Sequence, residues 1–254
     1  MKILVSWSSG KDSAWMLHVI RAEGLGEPGA LLTTINETAN RVAMHAVRTE
    51  VLQAQADAAG LPLVTVPIPH PCSNEVYEAR MAAAIAAAKA EGFTHVAFGD
   101  LFLEDIRRYR EERMQGTGLT PIFPLWLRPT PTLAREMLRG GLEAYLTCVD
   151  PRVLPASFAG RRFDASLLTD LPQGVDPCGE RGEFHTCAVA GPMFTKPISV
   201  VRGMVVERDG FVFADLVLSD PGSGIRGPGS GSDESRNPRI QDSRMRDSRS
   251  VIRD

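Results

Sequence analysis

The sequence predicts an α/β protein with a Rossmann-like parallel sheet, followed by a smaller C-terminal α+β region. Apolar, β-branched runs alternate with helical patterns through the first half of the chain, as in parallel sheets with right-handed crossovers. A turn of small residues, Ser8–Ser13, joins the first apolar run to the first helical pattern. Near the end, the Asp209-Gly210 pair between two apolar runs predicts an antiparallel hairpin.

Four short apolar runs in the first half predict the strands of the parallel sheet. They are Ile3–Ser6, Ala30–Ile35, Leu63–Ile68 and Thr94–Phe98. Ligands of such sheets bind beyond the carboxyl ends of the strands. We therefore expect the Ser8–Ser13 turn, Asn36, Gly99 and Asp100 to meet at one edge of the sheet.

Helices are predicted between these strands from apolar residues at helical spacing and from the glycines that end them. In the first helix Trp15, Met16, Val19 and Ile20 share one face. The predicted helices are Ser13–Glu23, Thr49–Ala59 and Asn74–Glu91, with a fourth over 104–113 if that charge-rich segment is helical.

A second region begins near residue 129. Its predicted elements are a helix at Thr132–Gly140, a strand at Tyr145–Val149, a short helix at Ser166–Leu171 and hairpin strands at Ser199–Glu207 and Phe211–Leu218. From Pro221 onward Gly, Ser, Arg and Asp dominate, and such a segment buries too little surface to offset chain entropy. We therefore expect domains at 1–128 and 129–220 and a disordered tail at 221–254.

Composition limits the cellular compartments and the classes of binding partner that we expect for this protein. The 254 residues are 43% hydrophobic and carry a net charge of −3, which argues against a nucleic-acid partner. No apolar run approaches the ~20 residues that cross a bilayer, and the opening lacks a secretory signal, so we expect a cytoplasmic protein without a membrane partner. Four scattered cysteines predict reduced thiols and no metal site, although Cys178, His185 and Cys187 lie close enough to bind one.

The Ser8–Ser13 turn has the chemistry of a phosphate site. Small side chains let backbone N–H groups approach an anion, Lys11 adds a positive charge, and the helix that follows adds its dipole. The pattern is not the G-x-x-x-x-G-K-[ST] nucleotide loop, because Gly10 directly precedes Lys11. The alternative is an ordinary helix start, with Ser9 or Asp12 as the N-cap.

A second group of polar residues follows the fourth predicted strand. Gly99 gives the backbone room, and Asp100 can bind Mg²⁺ or a polar substrate group. If the next segment is helical, Arg107 and Arg110 share a face and can bind phosphate or carboxylate. The alternative is a solvated helix with pairs such as Arg107 with Glu111.

The third group is a loop at 177–186 in which glycines alternate with Glu180 and Glu183, followed by His185 and Thr186. Such a loop can aim carboxylates into a cleft. A plain surface turn also needs glycines, but it does not need this pattern of glutamates.

Together these groups resemble the diphthine–ammonia ligase family of the adenine nucleotide alpha-hydrolase-like, PP-loop superfamily. Ser8–Ser13 resembles the PP-loop S-G-G-x-D-S, with Ser9 in place of the first glycine. The more specific element is Gly-Glu-x-Gly-Glu-Phe-His-Thr at 179–186, and smaller matches lie at 44–47 and 74–78. The resemblance covers about residues 1–220, and 101–105 resembles a bacterial branch whose hosts generally lack diphthamide.

The resemblance implies a fold of the PP-loop ATP pyrophosphatase (HUP) type, with an ATP-binding domain at 1–128 and a substrate-site domain at 129–220. It also implies an ATP-dependent, amide-forming ligase that adenylates a substrate carboxylate, releases AMP and pyrophosphate, and transfers ammonia. Its partners would be ATP, ammonia and an unidentified carboxylate acceptor, small or protein-borne. Mg²⁺ is expected by analogy, and a homo-oligomer is left open.

Residues and resemblance together predict the site. The predicted catalytic residues are Lys11, Asp12, Glu180, Glu183 and His185. The predicted nucleotide-binding residues are Ser8, Ser9, Gly10, Lys11, Asp12, Ser13, Asn36, Met44, His45, Gly99 and Asp100. The predicted substrate-binding residues are Arg107, Tyr109, Arg110, Gly182 and Thr186.

Two other functions remain open at this stage. A PP-loop enzyme that modifies tRNA would usually bring a basic surface and often a cysteine pair. A non-catalytic regulator that binds adenine nucleotides would leave the glutamate-rich loop hard to explain.

Overall fold

The computed structural model describes residues 1–38, 41–42 and 46–219, which form two sheets with helices packed around them. The strands of the first sheet are β1 (Lys2–Ser6), β2 (Glu27–Asn36), β3 (Arg41–Val42), β4 (Leu63–Ile68), β5 (His95–Ala97) and β6 (Thr120–Ile122). Their order is β3-β2-β1-β5-β6, with β4 also paired to β2. Every pair except β2 with β3 is parallel, which confirms the predicted parallel sheet.

The helices of the first half lie between these strands. They are α1 (Lys11–Ala22), α2 (Thr49–Ala59), α3 (Asn74–Ala90) and α4 (Glu104–Met114). Helix α1 begins two residues earlier than predicted. Its N-cap is Gly10, with no side-chain cap, so the alternative of an ordinary helix start capped by Ser9 or Asp12 is wrong.

The second half forms an antiparallel sheet with two short helices, which confirms the predicted α+β region. Its elements are α5 (Thr130–Arg139), β7 (Glu143–Val149), α6 (Ala165–Asp170), β8 (Phe184–Ala190), β9 (Val200–Arg208) and β10 (Phe211–Leu218). The strand order is β8-β7-β10-β9. Strands β9 and β10 form the predicted hairpin, and both turn residues, Asp209 and Gly210, have positive φ, as a tight hairpin turn requires.

Strand β8 begins within the segment at 177–186 that the sequence predicts to be a loop. It starts at Phe184 and pairs antiparallel with β7 through Ala190. Five of its seven residues are buried, so its sequence shows no alternation of apolar and polar residues. As a result, His185 and Thr186 are held on a sheet.

The first sheet is covered on both faces, as expected for parallel strands. On one face, Val5 of β1 and Leu17 of α1 belong to the same buried cluster as Leu146 of β7 and Ala188 of β8. On the other face, Leu4 packs in a smaller cluster that includes residues of α3. The second sheet therefore shares a hydrophobic core with the first.

Some expectations concern residues outside the described part of the chain. Met44, His45 and the predicted tail at 221–254 are among them. The domain boundary at 128/129 stays a prediction. Over the ranges that the structure describes, no helix is both long and apolar enough to span a membrane.

Candidate active site

A cavity of about 180 Å³ opens at the carboxyl edge of the first sheet, between the turn after β1 and the loop before β8. The predicted site residues that line it are Ser8, Lys11, Asp12, Ser13, Gly99, Asp100, Arg110, Glu180, Gly182, His185 and Thr186. The carboxyl ends of β1 and β5 meet here, as expected for a parallel sheet. The glutamate-rich loop before β8 reaches the same place from the second half of the chain.

The turn after β1 has the backbone of an anion site. Ser9 adopts φ 68°, a left-handed conformation that glycine adopts more easily. The Ser8 hydroxyl lies 3.2 Å from the Ser13 hydroxyl, and the Ser13 hydroxyl donates to the Gly10 carbonyl at 3.0 Å. The backbone N–H groups of Asp12 and Ser13, in the first turn of α1, have no protein acceptor among the described residues. They are available to an anion.

The turn is held from behind by Gln55, a residue that sequence reasoning missed. The Gln55 amide donates to the carbonyls of Ser9 (3.0 Å) and Ala188 (2.7 Å), and it accepts the indole N–H of Trp7 at 3.0 Å. The Ala188 N–H in turn donates to the Ser9 carbonyl at 2.9 Å. The signal was present in the sequence, because Gln55 is a polar residue on the apolar face of α2.

Lys11 has a different environment from the one expected of a solvent-facing phosphate ligand. Its side chain is 2% exposed, and its ammonium group contacts the Asp12 carboxylate at 2.8 Å and donates to the Cys178 carbonyl. The rings of Phe163 and Phe184 lie beside it. Burial is the largest single influence on the pKa of Lys11 and lowers it. The charges of Asp12, Cys178 and Glu180 and the hydrogen bond to Asp12 together outweigh burial, so the pKa is raised and Lys11 stays protonated.

Four carboxylates line the cavity: Asp12, Asp100, Asp150 and Glu180. Glu180 accepts the backbone N–H of Leu101 at 2.7 Å. Burial, together with the charges of Asp12 and Asp100, raises the pKa of Glu180 from its ordinary value of 4.5 to about 8. Glu180 therefore exchanges a proton near neutral pH, which suits a general base.

Glu183, the other predicted catalytic glutamate, does not line this cavity. Its side chain is 7% exposed, and its two oxygens accept the backbone N–H groups of Asp176 (3.0 Å) and Arg181 (2.9 Å). Gly179 completes the loop with φ 71°, where a Cβ would lie 2.7 Å from the Phe184 carbonyl oxygen. These bonds indicate that Glu183 fixes the shape of the loop that carries Glu180.

The two arginines of α4, expected to share a face, have separate surroundings. Arg110 lines the cavity, 3.5 Å from Asp100. Arg107 pairs with Glu111 at 2.7 Å and stacks on Phe123, as the alternative of a solvated helix predicted.

The remaining predicted residues within the described ranges also lie away from this cavity. Tyr109 lines a separate cavity between α3 and α4, and Asn36 accepts the Thr38 N–H in a turn after β2. Ser9 and Gly10 belong to the turn but do not line the cavity.

The second sheet contributes wall residues that sequence reasoning also missed. Asp150 and Arg152 follow β7, Phe211 opens β10, and Arg181 belongs to the glutamate-rich loop. A smaller apolar cavity adjoins the first and shares Ser8 with it.

Comparisons with known proteins point in one direction. The family model described as the diphthamide synthase N-terminal domain matches residues 1–121, and that of the diphthamide synthase C-terminal domain matches residues 130–214. A diphthine–ammonia ligase of Bos taurus is 25% identical over 240 residues, which are 85% of this chain and 89% of that protein. The diphthine–ammonia ligases of Homo sapiens and Rattus norvegicus are 32% and 31% identical over 120 residues, 45% of each chain. With both domain models matched in order, the chain belongs to the diphthamide synthase family, an enzyme family that includes the diphthine–ammonia ligases.

Proposed function

We propose that this chain is an ATP-dependent ligase that converts a carboxylate into an amide with ammonia. The carboxylate attacks the α-phosphorus of ATP, the α–β P–O bond breaks, and pyrophosphate leaves. Ammonia then attacks the acyl carbon, the bond to AMP breaks, and one proton is released. The observation that carries the proposal is one cavity shared by the Ser8–Ser13 turn and the Glu180 carboxylate.

The turn would bind the phosphates of ATP. The free amides of Asp12 and Ser13, the α1 dipole and the hydroxyls of Ser8 and Ser13 favour negative charge at this point. The cavity volume of 180 Å³ is small beside the roughly 300–1,000 Å³ of typical ligand pockets. The adjoining apolar cavity, lined in part by Leu32 and Tyr77, is therefore where we place the purine.

The residues present fit a Mg²⁺ that arrives with ATP. The Asp100 side chain is 10% exposed, and its Oδ2 lies 3.5 Å from Arg110 Nε but accepts no hydrogen bond within the described residues. Among the described residues, no three His, Cys, Asp or Glu side chains are placed so that together they could hold a metal ion. A metal site made by the protein alone is therefore not supported. Asp100 and Asp12 would hold the ion beside the phosphates, where Mg²⁺ would offset their charge.

Glu180 would accept the proton from the attacking ammonia. Its pKa of about 8 lets it alternate between acid and base forms under physiological conditions. Free ammonia is the favoured nitrogen source, because Cys148, Cys178 and Cys187 are buried and burial raises the pKa of each thiol. Such thiols are poor glutaminase nucleophiles.

The acceptor is tested directly. Diphthine on a carrier protein is the first acceptor to try, because it appears in the names of the matched relatives. Because residues 101–105 resemble a bacterial branch, other carboxylates belong in the same screen. Purified protein is incubated with ATP, ammonium and each acceptor, and AMP, pyrophosphate and the amide are measured.

The outcomes separate the alternatives. Acceptor-dependent AMP, pyrophosphate and amide in equal amounts support the ligase. Dependence on tRNA would instead identify a tRNA-modifying enzyme. Bound ATP or AMP without any pyrophosphate release would identify a regulator, and the ligase proposal would then be wrong.

A further inference from the structure

Arg152 lies on the wall of the cavity that the second sheet provides. It follows β7, in a segment that neither the motifs nor the resemblance singled out. Its side chain is 66% exposed, so it is accessible to a solute in the cavity. We propose that Arg152 binds the carboxylate of the acceptor and presents it for adenylation, an inference that rests on the proposed function.

The guanidinium of Arg152 is held in place before any ligand arrives. Asp150 accepts its Nε–H at 2.8 Å, its Nη2–H at 2.5 Å and its backbone N–H at 2.9 Å. The Asp150 side chain is 10% exposed, and its backbone N–H donates to the Glu183 carbonyl at 3.0 Å. The arginine is thereby fixed to the same loop that carries Glu180.

This arrangement leaves one edge of the guanidinium for a ligand. The Nη1–H groups of Arg152 have no acceptor within the part of the chain that the structure describes. An arginine whose other edge is fixed loses little conformational freedom when it binds an anion. A carboxylate is the planar, two-oxygen ligand that this fork fits.

The charges of the cavity explain why such a group is needed. Four carboxylates line it, Asp12, Asp100, Asp150 and Glu180, and those that are ionised repel an incoming carboxylate. Lys11 does not offset this repulsion for a substrate, because its ammonium is already bound to Asp12 and the Cys178 carbonyl. Arg110 lies against Asp100 and over the Phe98 ring. Arg181 also lines the cavity and is 57% exposed, but its guanidinium lies 3.9 Å from the Glu183 carboxylate. Arg152 is exposed as well, and two side-chain hydrogen bonds to Asp150 hold it in place.

The test compares Arg152→Gln with a matched control, Arg208→Gln. Arg208 is also an exposed arginine of the second sheet beside an aromatic ring, but it lies outside the cavity lining. With a diphthine-bearing protein as acceptor, the KM for the acceptor should rise about tenfold or more in Arg152→Gln, while the KM for ATP stays within about twofold. Arg152→Lys should lie between, and Arg208→Gln should match the wild type.

Each other outcome has a defined meaning. An unchanged KM for the acceptor in Arg152→Gln overturns the assignment of Arg152 and leaves the proposed function standing. An equal rise in the KM for ATP overturns it in favour of a phosphate ligand. If the wild-type protein releases no AMP with any acceptor, the proposed function fails and this assignment fails with it. Equal thermal unfolding midpoints of the variants verify that folding is unaffected.

Discussion

The hydroxyl oxygen of Thr186 accepts the backbone N–H of Lys11 at 3.0 Å, across 175 positions of sequence. Lys11 is the first residue of α1, and Thr186 belongs to β8 of the second sheet. The first turn of the helix that would bind phosphate is therefore capped by the other half of the protein. One hydrogen bond couples the geometry of the anion site to the packing of the two sheets.

Replacing Thr186 by Val should leave the Lys11 N–H buried without an acceptor. The expected cost is about 1–3 kcal/mol in the free energy of unfolding, measured by urea denaturation. The KM for ATP should rise as the turn loosens. Thr186→Ser keeps the hydroxyl and should lose much less. If the Val and Ser variants are equally stable, the capping role is wrong.

Replacing Gln55 by Met should weaken the phosphate turn from behind. The indole N–H of Trp7 and the Ala188 carbonyl would both lose a buried partner. We expect a loss of about 2–4 kcal/mol in the free energy of unfolding.

Gln53→Met provides the control on the same helix. The Gln53 side chain is exposed and, within the described residues, bonds only to Asp57, at 2.9 Å. Its replacement should therefore change stability by less than about 0.5 kcal/mol. Equal stability of the Gln55 and Gln53 variants would mean that the buried amide network does not support the turn.

Local patterns predicted the fold well. Elements such as Thr49–Ala59 and Leu63–Ile68 have the predicted bounds because their apolar spacing and flanking glycines or prolines determine them locally. The parallel pairing of the strands followed from the alternation of strands and helices. Strand β8 was missed because a strand buried on both faces has no period of two.

The sequence predicted the position of the site better than the roles of its residues. Asp12 and Asp100 lie together because the parallel strands β1 and β5 end at one edge, and Glu180 reaches them from the loop before β8 of the second sheet. The difference between Glu180 and Glu183 depends on which backbone N–H groups lie nearby, and three residues of spacing do not encode that. Gln55 and Arg152 act through partners far away in sequence or outside any motif.

The raised pKa of Glu180 makes stability depend on pH. The folded protein keeps this proton up to about pH 8, whereas the unfolded chain releases it near 4.5, so the folded state binds more protons between these values. Stability from this group is therefore lost as the pH rises through that window. In Glu180→Gln, we expect a stability gain relative to wild type that is larger at about pH 9 than at about pH 5. A gain independent of pH would contradict the raised pKa.

Replacing Ser9 by Gly should relieve the left-handed backbone at φ 68°. That conformation costs an ordinary residue about 1–2 kcal/mol, and glycine gives back about 0.5–1 kcal/mol in unfolded-state entropy. We expect a small net gain, up to about 1 kcal/mol, with ATP binding retained. Ser9→Ala keeps the strain and should show no gain. A less stable glycine variant would mean that the Ser9 hydroxyl outweighs the strain.

Replacing Lys11 by Ala should remove activity and stability together. The ammonium contributes charge to the phosphate turn, but it also joins Asp12 to the Cys178 carbonyl inside the core. Removing one partner of a largely buried ion pair costs about 3 kcal/mol, since Asp12 and the carbonyl stay desolvated. The free energy of unfolding, measured by urea denaturation, and the rate of AMP release should therefore both fall in this variant. Asp12→Asn separates the two effects, because its amide oxygen still accepts from Lys11 while the negative charge is gone. If Lys11→Ala unfolds at the wild-type urea concentration, the ammonium does not hold the loop, and Lys11 acts on the phosphates alone.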